Sequence, residues 1–135
     1  MHIRKATSAD TDFLLREDKH IAPEEIRMLL SRGRYFLAQQ DGESIGWLRW
    51  NLFWDNTPFL NMIYVLEPFR RSGIGSALLA AWEAEMCTAG YSMVMTSSLS
   101  DEQGQFFYRK HRYRDAGALL LPGEAAEIFF VKHLK

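Results

Sequence analysis

Two glycines separated by one residue follow a pair of arginines near the middle of this 135-residue chain. They are Gly73 and Gly75 in the run RRSGIGSALL, and an apolar helical pattern begins directly after them. A strand, a glycine-containing loop and the start of a helix can bind phosphate, because the amides of the first helical turn are free to donate. Arg70 and Arg71 would add cationic donors. The spacing predicts an anion site, against the alternative of a turn made for packing alone.

Two common phosphate-binding loops do not fit this glycine pair. A dinucleotide-binding fingerprint needs a third Gly or Ala at position 78, where the chain has Leu78. It also usually has an acidic residue at the end of the next strand, where Ser97 and Ser98 stand. A nucleoside-triphosphate loop ends in Gly-Lys-Ser or Gly-Lys-Thr, and the chain has no such triplet. These two classes of nucleotide site are excluded.

The charge balance excludes a further class of function. The net charge is −1, from 16 basic and 17 acidic side chains, whereas a nucleic-acid-binding domain is usually strongly basic. We therefore predict no nucleic-acid partner, and the basic run RKHRYR at 109–114 is explained by a helix C-terminus. The four histidines lack metal-ligand spacing and Cys87 is the single cysteine, so no metal is expected.

Length and hydropathy predict one domain covering 1–135, with no repeat or linker. The opening MHIRKATSAD is polar, and no apolar run approaches the ~20 residues that a bilayer-spanning helix needs. We therefore expect no membrane partner and a cytoplasmic location, with which the lone cysteine agrees. The 13% aromatic content is compatible with a homodimer.

Local patterns predict alternating strands and helices along the chain. Ser8 is expected to cap the first helix, and Asp41-Gly42 to turn a hairpin. Ser100 and Gln103 have capping-box spacing for the last helix. Strands are expected at 2–6, 35–40, 44–54, 59–66, 91–98, 113–121 and 126–132. This order predicts a mixed α/β (α+β) domain whose sheet is mainly antiparallel.

The glycine pair belongs to a longer motif. The run VLEPFRRSGIGSALL at 65–79 resembles the signature of the GNAT acetyltransferase superfamily, which is V-x-P/E-x-x-R/Q-x-x-G-x-G/A followed by a helix. Arg70, Gly73 and Gly75 fall on its spacing. The resemblance implies the GNAT fold, which is a mainly antiparallel mixed sheet of about six to seven strands, flanked by about four helices, with a splayed central strand pair.

A second motif supports the same family. The run DEQGQFFYRKHRY at 101–113 resembles the later family helix N-x-x-A-x-x-F-Y-x-K-x-G-F, and Tyr108 occupies its tyrosine position. Asp101 stands where Asn is usual. Arg112 replaces the Gly that normally ends this helix, so we expect either a different turn or a non-glycine residue at positive φ.

The resemblance implies acetyl-CoA as the acyl donor. The pyrophosphate of CoA is expected on the backbone amides of residues 71–76, and the amide-bearing pantetheine arm along the splayed edge at 63–65. The residues implied to bind the donor are Ile63, Tyr64, Val65, Arg70, Arg71, Ser72, Gly73, Ile74, Gly75, Ser76 and Asp101.

By the same resemblance, Tyr108 is the general acid that donates a proton to the departing CoA sulfur. The alternative is that Tyr108 is a core aromatic residue only. In the implied reaction a neutral amine attacks the thioester directly, so no protein nucleophile is required. The protein positions the amine, removes a proton and polarises the carbonyl.

The acceptor side has only loosely defined candidates. Glu17, Asp18, Asp55 and the neutral His20 are candidate proton acceptors, and each could instead be a solvated surface group. Trp50 and Trp54, with Phe53 and Phe59, are candidates for an acceptor pocket, against the alternative of core or dimer packing.

The residues predicted to bind the acceptor are His20, Trp50, Trp54 and Asp55. We expect the acceptor to be a small-molecule amine. A CoA-binding sensing module without turnover, and acetylation of a protein or peptide amine, are the alternatives.

Overall fold

The computed structural model describes all 135 residues. Seven strands and four α-helices follow one another in the chain. Their bounds are β1 His2–Lys5, α1 Thr11–Glu17, α2 Pro23–Ser31, β2 Tyr35–Gln40, β3 Glu43–Phe53, β4 Thr57–Val65, α3 Ile74–Thr88, β5 Met93–Leu99, α4 Gly104–Lys110, β6 Arg114–Leu119 and β7 Glu127–His133. Short 3-10 turns at Ser8–Asp10 and Glu67–Phe69 precede α1 and α3.

All seven strands lie in one sheet, in the order β1-β2-β3-β4-β5-β7-β6. Every neighbouring pair is antiparallel except β4 and β5, which are parallel and are joined through α3. The predicted mixed α/β fold with a mainly antiparallel sheet is confirmed.

The hairpin between β2 and β3 turns where the sequence predicts it. Asp41 and Gly42 have φ values of 51° and 79°. Two consecutive residues at positive φ match the strand twist of a two-residue hairpin, and Asp followed by Gly is the pair that most readily adopts them. This turn fixes the register of the long strand β3, which carries residues to both faces of the sheet.

The parallel pair β4 and β5 separates after two residue pairs. Only Phe59 with Met95 and Leu60 with Thr96 are in register. The next residue of β4, Asn61, is the extra residue of a β-bulge against β3, and a bulge bends its strand. At the point of separation the Thr96 hydroxyl donates to the Leu60 carbonyl at 3.0 Å. The splayed central pair is therefore present, and it opens the sheet between its strands.

The two faces of the sheet carry separate hydrophobic cores. Ile74, Leu78 and Trp82 are spaced by four residues along α3, and all three are buried against one face. On the other face, α1 and α2 bury Leu14 and Ile26 with Trp47 of β3. Apolar residues alternate along the strands to serve both cores, which is why the central strands have few exposed positions.

Two predicted helix caps are wrong in detail. Thr7, rather than Ser8, accepts from the Ala9 amide, and Asp10 accepts from the Thr7 amide, which completes a capping box one residue earlier. The predicted box at Ser100 is absent because α4 begins at Gly104 with no side-chain cap. The Gln105 amide instead donates to the carbonyl of Ser100 at 2.8 Å.

Arg112 adopts a φ of 72°, so a non-glycine residue stands at positive φ where the family helix normally ends in Gly. None of the helices is long and apolar enough to cross a lipid bilayer.

Candidate active site

A cleft of about 850 Å³ lies where β4 and β5 separate. Its walls are the second half of β4, the start of α3, the end of β5 and one face of α4. Of the residues predicted to bind the donor or act on it, the cleft is lined by Ile63, Tyr64, Val65, Arg70, Arg71, Gly73, Ile74, Gly75, Ser76 and Tyr108. Residues from two distant motifs of the sequence therefore meet in one cavity.

Two predicted donor residues lie outside this lining. Ser72 is exposed, and its hydroxyl donates to the Phe69 carbonyl at 2.6 Å, which holds the turn before α3. Asp101 is also exposed, and the following residues Glu102 and Gln103 face the cleft instead. The loop between β5 and α4 is turned so that the Asp101 side chain has no part in the wall.

The loop leading into α3 presents a run of free amides. None of the backbone N–H groups of residues 71–76 donates to a protein acceptor. The first amides of any helix lack an intrahelical partner, and here the unpaired run begins before the helix. Arg71 and Gly73 both have positive φ, at 64° and 83°. This run of donors at the positive end of a 15-residue helix is suited to an anion.

The two glycines of the loop have different roles. A Cβ at Gly73 would meet no atom within 4 Å, so glycine is required there by its left-handed conformation rather than by space. A Cβ at Gly75 would lie 3.7 Å from the Phe107 ring, which is ordinary contact distance. Gly75 therefore lies where α3 and α4 approach across the cleft.

Arg70 is engaged by the end of β4. Its Nε donates to the Val65 carbonyl at 2.8 Å, and its guanidinium lies 4.9 Å from the centroid of the Tyr64 ring. These contacts pin the loop to the strand, while the remaining guanidinium nitrogens keep their donors. Arg71 makes no ion pair and is exposed at the cleft edge.

A hydrogen bond joins the start of α3 to the end of α4. Ser76 Oγ and His111 Nε2 are 2.9 Å apart. Burial lowers the pKa of His111, so the ring is mainly neutral near pH 7. The neutral ring packs 4.7 Å from Phe107, which itself lines the cleft.

Tyr108 lies on the inner side of α4 and is 6% exposed. Its ring is surrounded by Phe107, Tyr113 and Phe130, at centroid distances of 5.4, 5.7 and 6.0 Å. Burial raises the pKa of Tyr108 to about 12, and the side chain of Thr96 lowers it in part. The phenol therefore keeps its proton at neutral pH, which suits a proton donor and excludes it as a resting-state base.

Asp18 is a structural residue rather than an accessible base. It is 1% exposed, and its Oδ2 accepts from Tyr35 Oη at 2.7 Å and from Arg49 Nε at 2.8 Å. The buried cluster ties the end of α1 to β2 and β3. Sequence patterns place Asp18 beside a helix end but cannot show that Arg49 points at it from the sheet.

Trp50 belongs to the core instead of an acceptor pocket. It is 6% exposed and packs against Trp82 of α3 at a centroid distance of 6.4 Å. The Arg34 guanidinium also contacts the Trp50 ring, at 4.5 Å from the ring centroid. Alternation along β3 correctly pairs Trp50 with Leu48, but that face is the one covered by α3.

The other acceptor candidates do not meet at the cleft. Trp54 and Asp55 form the turn between β3 and β4 at φ 56° and 63°, and Trp54 is 78% exposed. His20 is exposed in the loop between α1 and α2. The carboxylate of Glu17 pairs with Arg16 at 3.2 Å on the surface. None of these four residues lines the cleft.

Sequence reasoning missed three polar residues of the cleft wall. Asn61, Ser97 and Glu127 line it from β4, β5 and the start of β7. A smaller groove of about 300 Å³ shares Asn61 with the cleft, and its other walls are Asn51, Leu52, Phe53, Phe59 and Phe129. The available signal was the alternation of β7, which sets Glu127 and Phe129 on one face. This alternation points to the cleft only once β7 is known to pair with β5.

Comparison with known families gives a match over most of the chain. Residues 31–115 match the family model described as acetyltransferase (GNAT) domain. No curated protein matches the chain in sequence.

Solved structures share the fold at low sequence identity. A GNAT-family acetyltransferase from Bacillus cereus has a TM-score of 0.80 at 23% identity, covering 98% of this chain and 96% of that one. A ribosomal-protein-alanine N-acetyltransferase from Brucella melitensis has a TM-score of 0.84 at 20% identity, covering 99% and 100%. A GNAT-family acetyltransferase from Elizabethkingia anophelis with acetyl-CoA bound has a TM-score of 0.75 at 22% identity, covering 98% and 97%.

Proposed function

This chain belongs to the GNAT acetyltransferase family, and on that premise we propose that it transfers an acetyl group from acetyl-CoA to the primary amine of a small molecule. The observation that carries the proposal is the run of free amides at 71–76, open to a cleft that also holds Tyr108. We take residues 1–135 as one catalytic domain, because one sheet holds every strand.

Acetyl-CoA is proposed as the donor because its parts suit the two ends of the cleft. The pyrophosphate would accept from the amides of residues 71–76, with Arg71 and Lys110 as cations at the same cleft. The pantetheine amides would pair with the β4 edge at 63–65, which β5 leaves unpaired after Leu60 and Thr96. The Elizabethkingia anophelis neighbour, which has acetyl-CoA bound, supports this assignment.

Tyr108 is proposed as the acid of the reaction. A neutral amine attacks the thioester carbonyl carbon, the C–S bond breaks, and the phenol proton moves to sulfur. The pKa of about 12 supports this role, because the proton is present at the start of every turnover at neutral pH. Backbone amides near Tyr64 and Val65 are the proposed donors to the carbonyl oxygen.

A small molecule is the proposed acceptor because the groove next to the cleft is small, at about 300 Å³. The ribosomal-protein-alanine N-acetyltransferase among the structural neighbours makes a protein N-terminus the second candidate. The cytoplasm is our proposed location, since the lone Cys87 cannot form a disulfide within the chain.

The test is thiol release from acetyl-CoA across aliphatic amines, arylalkyl amines, polyamines, amino acids and short peptides. Release with low-molecular-weight amines and not with peptides is the expected result. Release with peptides alone would replace the acceptor class with a protein amine. Tight acetyl-CoA binding without release from any acceptor would overturn the catalytic proposal in favour of a sensing module.

A further inference from the structure

The groove beside the cleft is mainly aromatic. We call it the aromatic groove, and it is formed by Asn51, Leu52, Phe53, Phe59, Asn61 and Phe129. The ring centroid of Phe59 lies 6.0 Å from that of Phe53 and 6.1 Å from that of Phe129. All three rings are only partly buried, and α1 and α2 pack on a different part of this sheet. The groove therefore presents accessible ring surface rather than a completed core.

No side chain lining the aromatic groove carries a charge. The Oδ1 of Asn51 is already engaged, because it accepts from Arg34 and from the Leu52 amide. An apolar or aromatic ligand group would lose little hydration there and would gain contact with the phenyl rings. A charged group would lose hydration with no partner to replace it.

The groove opens into the cleft at Asn61, which lines both cavities. Asn61 is the bulged residue of β4 at the point where β4 and β5 separate. A ligand lying in the groove would therefore extend toward the place where the strands part, into the cleft that Tyr108 also lines.

Glu127 is the carboxylate suited to an amine at this junction. It begins β7 two residues before Phe129, so alternation puts both side chains on one face. It lines the cleft and makes neither an ion pair nor a side-chain hydrogen bond within the protein. Glu102 is the other carboxylate of the cleft, and its Oε1 lies 3.4 Å from the Leu99 amide that donates to it.

The other charged groups of the cleft favour the same arrangement. Arg70 and Arg71 lie at the α3 end and Lys110 on α4, so cations collect where the phosphates of the donor are proposed to bind. An ammonium group would be repelled from that end and attracted to the acidic one. The donor and the acceptor are thereby separated by charge as well as by position.

We propose that the acceptor is an amine bearing an aromatic or apolar group, which lies in the aromatic groove while its ammonium meets Glu127. This inference rests on the proposed function and names the acceptor class for it. Glu127 is then a catalytic residue, because it contacts the reacting nitrogen.

The ammonium N–H bond breaks and its proton moves to the Glu127 carboxylate. The freed lone pair forms the C–N bond, the C–S electrons leave on sulfur, and sulfur takes the Tyr108 proton. The nitrogen then loses its second proton, which returns through solvent to the Tyr108 phenolate, and Glu127 releases its own proton to solvent.

The groove is tested by comparing 2-phenylethylamine with propylamine as acceptors. We expect kcat/KM to favour 2-phenylethylamine by about tenfold or more, the range expected for apolar groups in a fitted pocket. Phe129→Ala should remove most of this preference, and Phe129→Leu, which keeps apolar volume, should remove part of it. Leu120→Ala, at a position 80% exposed, is the control and should keep the preference.

Glu127 is tested with Glu127→Gln and the control Glu124→Gln, at an exposed position outside the cleft lining, over a range of pH. We expect Glu127→Gln to lower kcat/KM about 100-fold near pH 7. The defect should shrink toward about pH 9.5, because solution then supplies more unprotonated amine to the variant. Glu124→Gln should stay within about threefold of the parent at every pH. If Glu127→Gln only disturbed the structure, it would lower kcat/KM by the same factor at every pH, which would contradict the role of Glu127 as a proton acceptor.

The outcomes separate this inference from the function on which it rests. Equal rates for the two amines, or an unchanged rate in Glu127→Gln, would overturn the acceptor site while acetyl transfer stands. A preference for putrescine or a peptide would do the same. Absence of thiol release from every acceptor, with acetyl-CoA bound, would overturn the proposed function itself.

Discussion

At the scale of single residues, Tyr108 combines burial with an open side toward the cleft. The aromatic rings around it exclude water and raise its pKa to about 12. A higher pKa makes the phenol a weaker acid, but it also ensures that the proton is present before the thiolate forms. A thiol has a pKa of about 8.5, so moving this proton to the departing sulfur is uphill, and the phenol must be held in hydrogen-bond contact with sulfur while a proton from the attacking amine neutralises the phenolate.

Tyr108→Phe should lower kcat by about 100-fold or more and leave acetyl-CoA affinity nearly unchanged, because the ring is kept and only the proton is lost. In the parent enzyme, this acid would be lost only as pH rises through about 12, so it should cause no fall in rate between pH 7 and about pH 9. Steady-state rates and calorimetric acetyl-CoA binding check both points. An unchanged kcat would contradict the assigned role.

At the scale of elements, the start of α3 concentrates in a single segment the groups proposed to bind the donor. The positive φ of Arg71 and Gly73 turns successive amides toward the cleft, and α3 adds the partial positive charge of its N-terminus. Phe107 of α4 packs beside Gly75, so the two motifs of the sequence form one wall. The local conformation and the helix field favour the same anion.

Gly73→Glu should weaken acetyl-CoA binding at least about 100-fold, because a carboxylate would stand among the amides proposed for the pyrophosphate. Gly90→Glu is the matched control at the other end of α3. Gly90 also has positive φ, at 98°, and a Cβ there would likewise meet no atom within 4 Å. Calorimetric titration with acetyl-CoA should show normal affinity for Gly90→Glu. Equal acetyl-CoA affinities in the two variants would contradict the proposed pyrophosphate site at residues 71–76.

At the scale of the whole molecule, the sheet separates two cores and must hold the elements of both. The buried cluster of Asp18, Tyr35 and Arg49 joins α1 to the sheet on the face that also carries the aromatic groove. Oδ1 of Asp18 has no hydrogen-bond partner, so the cluster depends on Oδ2 for its whole connection. Removing only one partner of a buried ion pair is strongly destabilising, because the other charge is left buried without compensation.

Arg49→Met should lower the free energy of unfolding by about 3–5 kcal/mol, because it leaves the Asp18 carboxylate buried without its cation. Adding Asp18→Asn should recover part of that loss, since it removes the uncompensated charge. Urea unfolding of the two single variants and the double variant measures the coupling. Strict additivity would show that the ion pair contributes nothing.

The elements were predictable from local patterns because periodicity and turn chemistry are local properties. The alternation of β3, the Asp41-Gly42 turn and the four-residue spacing of α3 each lie within one segment. The caps at Ser8 and Ser100 were wrong because other groups take the amides that a capping box would use. Thr7 forms the first box one residue earlier, and the Ser100 amide donates to the Ala126 carbonyl, which is distant in the sequence.

By itself, the sequence determined the fold class, the family and the segment that we propose for the donor, because the free amides and glycines are contiguous between β4 and α3. Only the tertiary structure brings together the residues of the proposed acceptor end. That end is assembled from β3, β4 and β7, and its members depend on strand order and on the bulge at Asn61. Trp50 and Asp18 are thereby turned into buried contacts, and Glu127 is brought to the cleft. Long-range pairing selects which face of a strand meets a ligand, and no local pattern carries that choice.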